Sequence, residues 1–232
     1  MPKPFTFINW ARIQQCTPKQ FVLPTNENEL KEFVTTAKKV RVVGSGHSWN
    51  DICLTDDTLI SLDAMNRVLD LDKENQTVTV QPGIKLWQLN EYLQQHGFAL
   101  RNLGSISEQS VAGAISTGTH GSGVDFQVLG SQVLRIKWLR PDGTFLEMNP
   151  EKDAELFSMS VVNLGALGII TEITLKVVPA FRLHEVTVAY AFHEVVENLH
   201  ELIRSADHVK FWWFPHTDKM VVYRYNHTLQ PA

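Results

Sequence analysis

The spacing of apolar and polar residues predicts two amphipathic helices in the first hundred residues. One helix is expected over residues 27–38, where Asn26 and Glu29 can form a capping pair at its start. The other is expected over residues 86–95, with Gly97 placed to end it. Their apolar faces are Leu30, Phe33, Val34 and Ala37 in the first helix and Leu86, Leu89 and Leu93 in the second.

Strands are predicted around these helices. The segment KVRVVG, ending at Gly44, is apolar on both faces, which is typical of a buried parallel strand. Residues 65–70 have the character of a turn. A hairpin is expected over 130–148, turning at Pro141-Asp142-Gly143. Further strands are expected in TLISL (58–62), QTVTV (76–80) and GIITEITLKVVP (168–179), the last with Ile169, Ile173, Leu175 and Val177 on one face.

Pro179 is predicted to separate this region from a second one. A strand over 184–191, a helix over 194–206 and strands over 210–214 and 220–225 follow it. The helix stripe is Val195, Val196, Leu199, Leu202 and Ile203, and the aromatic residues of the last two strands include Trp212, Trp213, Phe214, Tyr223 and Tyr225. With no further element to cover them, these aromatic side chains are expected to promote association, and most of the stability is expected before Pro179.

Composition excludes several classes of protein. The chain has 232 residues, 44% of them hydrophobic and 20% charged, as in an ordinary globular protein. Its net charge of −4 and lack of a long basic run argue against nucleic-acid binding. Two cysteines, Cys16 and Cys53, are too few for a disulfide framework and fit buried thiols in a reducing compartment.

No secretory signal or membrane-spanning stretch is visible, since the most apolar run, VVNLGALGII, is short and interrupted. A cytoplasmic location, or peripheral attachment to a membrane, is therefore expected.

The glycine turn after the first predicted parallel strand, GSGHSW, carries a histidine and admits several interpretations. A dinucleotide fingerprint would need glycine where Trp49 stands, and a phosphate-binding P-loop would need Gly-Lys-Ser/Thr. The nine histidines show no HExxH or HxH spacing, so no metal site is predicted. Gly44 and Gly46 allow an anion-binding nest of backbone N–H groups, which predicts a phosphate ligand. On these residues alone, a structural role for His47 is as plausible as a functional one.

A second segment, residues 102–123, strengthens the phosphate interpretation. It consists largely of Gly, Ala, Ser and Thr, which let the backbone approach a large flat ligand. Its hydroxyl groups available to phosphates are those of Ser105, Ser110, Thr117 and Thr119. Two such segments in one chain indicate an extended cofactor that carries phosphate.

The segments VRVVGSGHSWNDI, TVTVQPGIKLWQLNEYLQQHGFALRNLGSISEQSVAGAISTGTHGSG, SVVNLGALGIITEITLKVVPAF and FWWFPHT resemble the sugar-1,4-lactone oxidases. These are FAD-binding proteins of the vanillyl-alcohol-oxidase, or PCMH, type. The resemblance runs from about Thr17 to His227. It implies a mixed α+β (α/β) fold with an N-terminal arm over 1–17, a two-subdomain PCMH-type FAD-binding domain over 18–180, and an incomplete α/β cap domain over 181–232.

The same resemblance implies an activity. The expected reaction is FAD-dependent oxidation of a gulono-, galactono- or arabinono-1,4-lactone, as in ascorbate biosynthesis, with O2 as acceptor and H2O2 as product. Gly104 favours an oxidase, because the related galactono-lactone dehydrogenase has alanine there. Two alternatives stay open: a flavin-binding remnant without turnover, and an interaction module that uses the exposed aromatic strands.

The resemblance also implies roles for individual residues. His47 matches the histidine that bonds covalently to the 8α-methyl carbon of FAD. Ser105 is the one substrate contact that can be named, and no general base is assigned, because relatives carry the sugar-activating groups in a later region. The expected cofactor-binding residues are Gly44, Ser45, Gly46, His47, Ser48, Gly104, Ser105, Ser110, Gly113, Ala114, Thr117, His120, Gly121, Gly168 and Ile170.

Overall fold

A computed structural model describes residues 5–228 and 230. Residues 1–4 of the predicted arm and residues 229, 231 and 232 of the predicted second domain therefore lie outside the described part. The helices are α1 Glu27–Thr36, α2 Leu86–Gln95, α3 Val111–Ser116, α4 Ala154–Val161, α5 Phe192–Glu197 and α6 Leu199–Leu202. The strands are β1 Phe7–Ile8, β2 Gln15–Cys16, β3 Gln20–Val22, β4 Val40–Val43, β5 Thr58–Ser61, β6 Val68–Asp72, β7 Thr77–Val80, β8 Phe98–Ala99, β9 Val133–Leu139, β10 Phe145–Met148, β11 Ile169–Lys176, β12 Val178–Pro179, β13 Arg182–Ala191, β14 His208–Trp213 and β15 Lys219–Thr228.

A small parallel sheet, in the order β3-β5-β4, forms the first packed unit together with α1. The predicted cap is confirmed, because the Asn26 side chain accepts from the backbone N–H groups of Asn28 and Glu29. Strand β4 is parallel as predicted, but the expectation that both its faces are buried is wrong. It is an edge strand with Arg41 exposed, and only Val43 is fully buried.

An antiparallel sheet in the order β10-β9-β11-β7-β6 forms the second unit. Helices α2, α3 and α4 contribute apolar side chains to the core on one face of this sheet, and the parallel unit packs near Leu139 and Ile169 on the other. The turn predicted at residues 65–70 is only partly present, because Val68 begins β6. Pairing with β7 makes this polar stretch a strand, with a bulge between Val68 and Asp70.

A bulge also changes the predicted face of β11. Its register against β9 shifts between Ile170 and Glu172, which places one extra residue in the strand. As a result Ile170, rather than Ile169, joins Ile173 in the core with the helices, and Ile169 packs against the parallel unit. The predicted alternation through Ile169 is therefore wrong by one position, a change that strand periodicity alone does not reveal.

The C-terminal sheet, in the order β13-β15-β14, packs one face against α5 and α6. The single helix predicted over 194–206 is instead two short helices that begin at Phe192 and meet at Asn198. The Asn198 side chain donates to the Glu194 carbonyl at 2.8 Å, the same acceptor that its own helical N–H uses, and this side-chain bond competes with helix continuation. Trp212, Trp213 and Phe214 stay about half exposed, as the sequence predicts.

One buried histidine joins this sheet to the rest of the molecule. His208 shares a hydrogen bond of 2.9 Å between its Nδ1 and the Ser122 carbonyl, and its ring stacks on Phe126 at a centroid distance of 4.6 Å. The described residues include no helix of the length and apolar character needed to cross a bilayer.

Candidate functional site

A cavity of about 590 Å³ lies between the parallel unit and the five-stranded unit. This volume is within the range of small-molecule and cofactor pockets, roughly 300–1,000 Å³. Its walls come from the end of α1, β4 with its following turn, α3, and the loop that leads into β11. The predicted site residues in its lining are Gly44, Ser45, Gly46, His47, Ser48, Ser110, Gly113, Thr117, Gly168 and Ile170.

The GSGHS turn forms one wall and presents free hydrogen-bond donors. Gly46 has a φ of +69°, a conformation that favours glycine and folds the turn back on itself. Among the described residues, the backbone N–H groups from Ser45 to Ser48 donate to no protein acceptor. Consecutive unpaired N–H groups of this kind form a nest for an anion such as phosphate. The turn thus has unpaired donors at the place where the sequence predicts an anion site, and that site stays a prediction.

His47 stands within this turn, half-buried and in contact with the cavity. Its ring lies against the indole of Trp10, with a centroid distance of 5.5 Å and an interplanar angle of 27°. The Trp10 N–H donates to the Gly46 carbonyl at 2.9 Å, and Asn9 Nδ2 donates to the Ser48 carbonyl at 2.9 Å. The N-terminal arm thus holds both sides of the histidine, a role that local sequence patterns do not indicate.

The glycine-rich segment 102–123 meets the turn, as one extended ligand would require. Ser45 Oγ donates to the Glu108 carbonyl, and a Cβ placed on Gly44 would lie 2.5 Å from Ser110 Oγ. Ser110 also caps α3, where its hydroxyl accepts from the Gly113 N–H. The absence of a side chain at Gly44 is therefore what lets the two segments approach.

The remaining predicted residues of this segment lie outside the cavity lining. Ala114 is fully buried in the core, and Ser105 and His120 are exposed. Gly121 packs so closely that a Cβ there would lie 2.2 Å from Asn102 Oδ1. A Cβ on Gly104 would be 3.1 Å from the His120 carbonyl. The lack of a side chain at Gly104 therefore permits close packing of the two loop stretches that contain Gly104 and His120.

The loop before β11 supplies the opposite wall. Asn163 is buried and holds the loop by accepting from the Gly165 N–H at 2.7 Å and donating to the Ser160 carbonyl at 2.9 Å. Gly168 has a φ of +136°, and a Cβ on it would lie 2.6 Å from the Leu139 carbonyl. Only glycine fits at this position, so its backbone can border the cavity beside Ile170.

A lysine behind the turn is a further site residue that sequence reasoning missed. Lys85 Nζ donates to Ser45 Oγ at 2.9 Å and pairs with Asp63 Oδ1 at 2.6 Å. Ser45 and Asp63 line the cavity, so this cation supports its wall from behind. Residues from separate elements meet here, and no sequence motif connects them.

Cys53 also borders the cavity. Burial, opposed by a backbone hydrogen bond, raises the pKa of this thiol above its ordinary value. The thiol therefore stays protonated near neutral pH, which is the state of an unreactive, structural cysteine. No group of three or more His, Cys, Asp or Glu side chains within the described residues is arranged to hold a metal ion.

Two family models match the chain. The model described as FAD binding domain matches residues 18–149, and the model described as D-arabinono-1,4-lactone oxidase matches residues 173–232. The first match includes the GSGHS turn and the segment 102–123. The second includes the last four residues of β11, together with β13, β14 and β15.

Curated relatives agree with these matches. L-gulonolactone oxidase of Mus musculus is 40% identical over 226 residues, which cover 96% of this chain and 51% of the relative. D-arabinono-1,4-lactone oxidase of Eremothecium gossypii is 38% identical, covering 98% of this chain and 44% of the relative. The chain thus spans about half the length of the curated relatives it matches. The predicted resemblance to the sugar-1,4-lactone oxidases is confirmed.

Solved structures show the same fold at low sequence identity. Cholesterol oxidase from Brevibacterium sterolicum, as a His121Ala mutant, superposes with a TM-score of 0.87 at 16% identity, covering 97% of this chain and 48% of that one. A solvent-stable cholesterol oxidase gives a TM-score of 0.88 at 18% identity, covering 99% and 49%. The predicted PCMH-type fold is therefore confirmed.

Proposed function

The chain belongs to the FAD binding domain family, and from that premise we propose that it is an FAD-dependent oxidoreductase acting on an aldono-1,4-lactone. The proposed substrates are gulono-, galactono- or arabinono-1,4-lactone, the compounds that name its relatives or are close to them. When bound, FAD supplies the two-electron acceptor for hydride removal from a carbinol carbon, with O2 as final acceptor and H2O2 as product.

One observation carries this proposal. One cavity is bordered by a turn whose N–H groups are unpaired among the described residues, by a histidine and by small residues that allow close backbone approach. We propose that the N–H groups of the GSGHS turn bind the pyrophosphate, and that Ser110, Gly113 and Thr117 contact the chain between pyrophosphate and ring. Gly168 and Ile170 would present backbone groups to the polar edge of the ring system.

We propose the remaining assignments on the strength of the family resemblance. The segment 102–123 would run along the cofactor and would be shaped by Gly104, Ala114, His120 and Gly121. Ser105 would contact the lactone. The proposed organisation is an arm over 1–17, an FAD-binding domain over 18–180 and the first part of a cap domain over 181–232.

His47 is proposed to hold FAD covalently. A neutral imidazole is a competent nucleophile, and this ring borders the cavity next to the anion nest. The test is to denature the flavin-loaded protein in acid and determine its mass. For the unaltered protein, the expected mass is that of the protein plus FAD. The His47→Ala variant is expected to release all its flavin into the supernatant. Release of the flavin from the unaltered protein would contradict the assignment.

Substrate oxidation is tested by adding each lactone to the flavin-loaded protein without oxygen. Loss of the visible flavin absorbance, followed by its return and by H2O2 formation in air, is the expected result. Photoreduction without lactone provides the control that the flavin can be reduced. If light reduces the flavin but no lactone does, the result would instead favour a flavin-binding remnant without turnover.

A further inference from the structure

We propose that the N-terminal arm positions His47 for its attachment to the cofactor, with Trp10 fixing the plane of the imidazole and Asn9 fixing the backbone beside it. This inference rests on the covalent role proposed above for His47. It assigns a task to a segment, residues 5–17, that the chemistry of the cavity does not otherwise use.

The backbone contacts are the first support. The carbonyls on either side of His47 both accept hydrogen bonds from the arm. The Gly46 carbonyl accepts from the backbone N–H of Trp10, and the Ser48 carbonyl accepts from Asn9 Nδ2, each at 2.9 Å. Both carbonyls are therefore occupied by the arm, while the N–H groups of the turn keep no protein acceptor among the described residues. Phe7 completes the contact, with its ring 3.2 Å from the position of a Cβ on Gly46.

The rigidity of the arm is the second support. Asn9 is 3% exposed, and its Oδ1 accepts from the N–H groups of Ile13 and Gln14 at 3.0 Å each. Its backbone N–H donates to the Gln14 carbonyl, and β1 pairs with β2 to close the hairpin. Every polar atom of the Asn9 side chain therefore has a partner, and the arm can transmit a fixed geometry to the turn.

The ring contact is the third support. The indole of Trp10 stacks on the His47 ring, although Trp10 itself is 65% exposed. A large aromatic side chain left this exposed contributes less through burial than through the surface it offers to its neighbour. Stacking limits rotation of the imidazole, and a nucleophile held near its attack geometry reacts faster than one that rotates freely.

The attachment step balances as follows. One C–H bond of the 8α-methyl group and the imidazole N–H bond break, and a carbon–nitrogen bond forms. The electron pair passes to the flavin ring and then to O2, which leaves with the two hydrogens as H2O2. The arm takes part in no bond change and acts only by fixing the nitrogen that attacks.

The experiment compares how fast apoprotein variants acquire acid-stable flavin after FAD is added in air. Trp10→Ala is expected to slow attachment by about tenfold or more, the change that a difference of about 1.4 kcal/mol in barrier produces. Trp10→Phe retains a stacking ring and is expected to stay within about threefold of the unaltered protein. Trp49→Ala is the control. It removes an indole two residues after His47 that is 66% exposed, close to the value for Trp10, and it is expected to leave the rate of attachment unchanged.

Asn9→Asp tests the backbone part separately. The aspartate keeps an acceptor for Ile13 and Gln14 but places an oxygen where Asn9 Nδ2 donates to the Ser48 carbonyl, so attachment should slow. To separate positioning from general damage, non-covalent FAD affinity is measured with His47→Ala alone and with Trp10→Ala added. Equal affinities support the proposal, and a parallel loss of affinity would reduce Trp10 to a structural role and overturn it.

Two outcomes concern different claims. Attachment at the normal rate in Trp10→Ala overturns the positioning role while leaving the covalent role of His47 intact. Failure of the unaltered protein to acquire any acid-stable flavin overturns both.

Discussion

Gly44 lies where the two proposed FAD-binding segments pack against each other. A Cβ there would lie 2.5 Å from Ser110 Oγ, a separation that real side chains do not adopt. Gly44→Ala is therefore expected to destabilise the protein by about 1–3 kcal/mol through overpacking, and to weaken FAD binding. Urea unfolding of the apoprotein and FAD titration measure the two effects.

Removal of the opposing hydroxyl provides the matched control. Ser110→Ala alone should cost about 1 kcal/mol by loss of the α3 cap. Combined with Gly44→Ala it should restore part of the lost stability, because the next atom, Ser110 Cβ, is 3.7 Å from the new methyl group. Simple additivity of the two changes would show that the contact between Gly44 and Ser110 does not limit packing.

At the scale of elements, a polar network joins α1 to the five-stranded sheet. Glu172 on β11 accepts from Arg135 Nη2 at 3.0 Å and from Lys137 Nζ at 3.3 Å, and Lys137 also reaches Glu27 of α1 at 2.8 Å. Burial by itself would raise the pKa of Glu172, but the hydrogen bond from Arg135 and the charge of Lys137 outweigh it. The pKa of Glu172 is therefore lowered.

A lowered pKa has a definite consequence for stability. The carboxylate stabilises the folded state at all pH values above its unfolded pKa of about 4.3, and this contribution is lost as the pH falls through the lower folded value. Glu172→Gln should thus reduce the free energy of unfolding by about 1.5–3 kcal/mol near neutral pH, as for a hydrogen bond to a charged group. The difference from the unaltered protein should shrink at acid pH.

Chemical unfolding of the two proteins, near neutral pH and again at acid pH, checks this prediction. Glu151→Gln serves as the control, because Glu151 is exposed and has no partner among the described residues. A loss of stability in Glu172→Gln that does not depend on pH would show that size or shape, rather than charge, is responsible.

At the scale of the whole molecule, His208 and Gly123 join the C-terminal sheet to the region that the FAD binding domain model matches. His208 is 6% exposed and contacts both Ser122 and Phe126. Close packing of Gly123 against Asp207 continues the junction, since a Cβ there would lie 2.4 Å from the Asp207 carbonyl. These contacts hold the C-terminal sheet against that region.

His208→Ala is expected to loosen this junction by about 1–3 kcal/mol, through the lost hydrogen bond and ring contact. Limited proteolysis should then cut residues 182–228 earlier, while FAD stays bound to the preceding region. His200→Ala is the matched control, because that histidine is exposed on α6. Unchanged cleavage in His208→Ala would mean that other contacts hold the sheet. If residues 182–228 of the unaltered protein resist proteolysis, that result would contradict the expectation that most of the stability lies before Pro179.

The sequence by itself determined the elements whose signals are local. Periodic leucines and a capping asparagine define α1 and α2, and the Pro-Asp-Gly turn defines the hairpin of β9 and β10. The glycines around His47 predicted an anion nest, because backbone freedom is a property of the residue type. Family resemblance, carried by ordered motifs along nearly the whole chain, supplied the fold and the cofactor.

Tertiary structure decided what depends on distant partners. Pairing with β7 turned residues 68–72 into a strand, and a bulge moved Ile170 to the face predicted for Ile169. The arm brings Asn9 and Trp10 to His47 across more than thirty residues, and Lys85 reaches Ser45 from the start of another helix. No periodicity encodes such contacts, because they depend on how whole units pack and not on the residues that are adjacent along the chain.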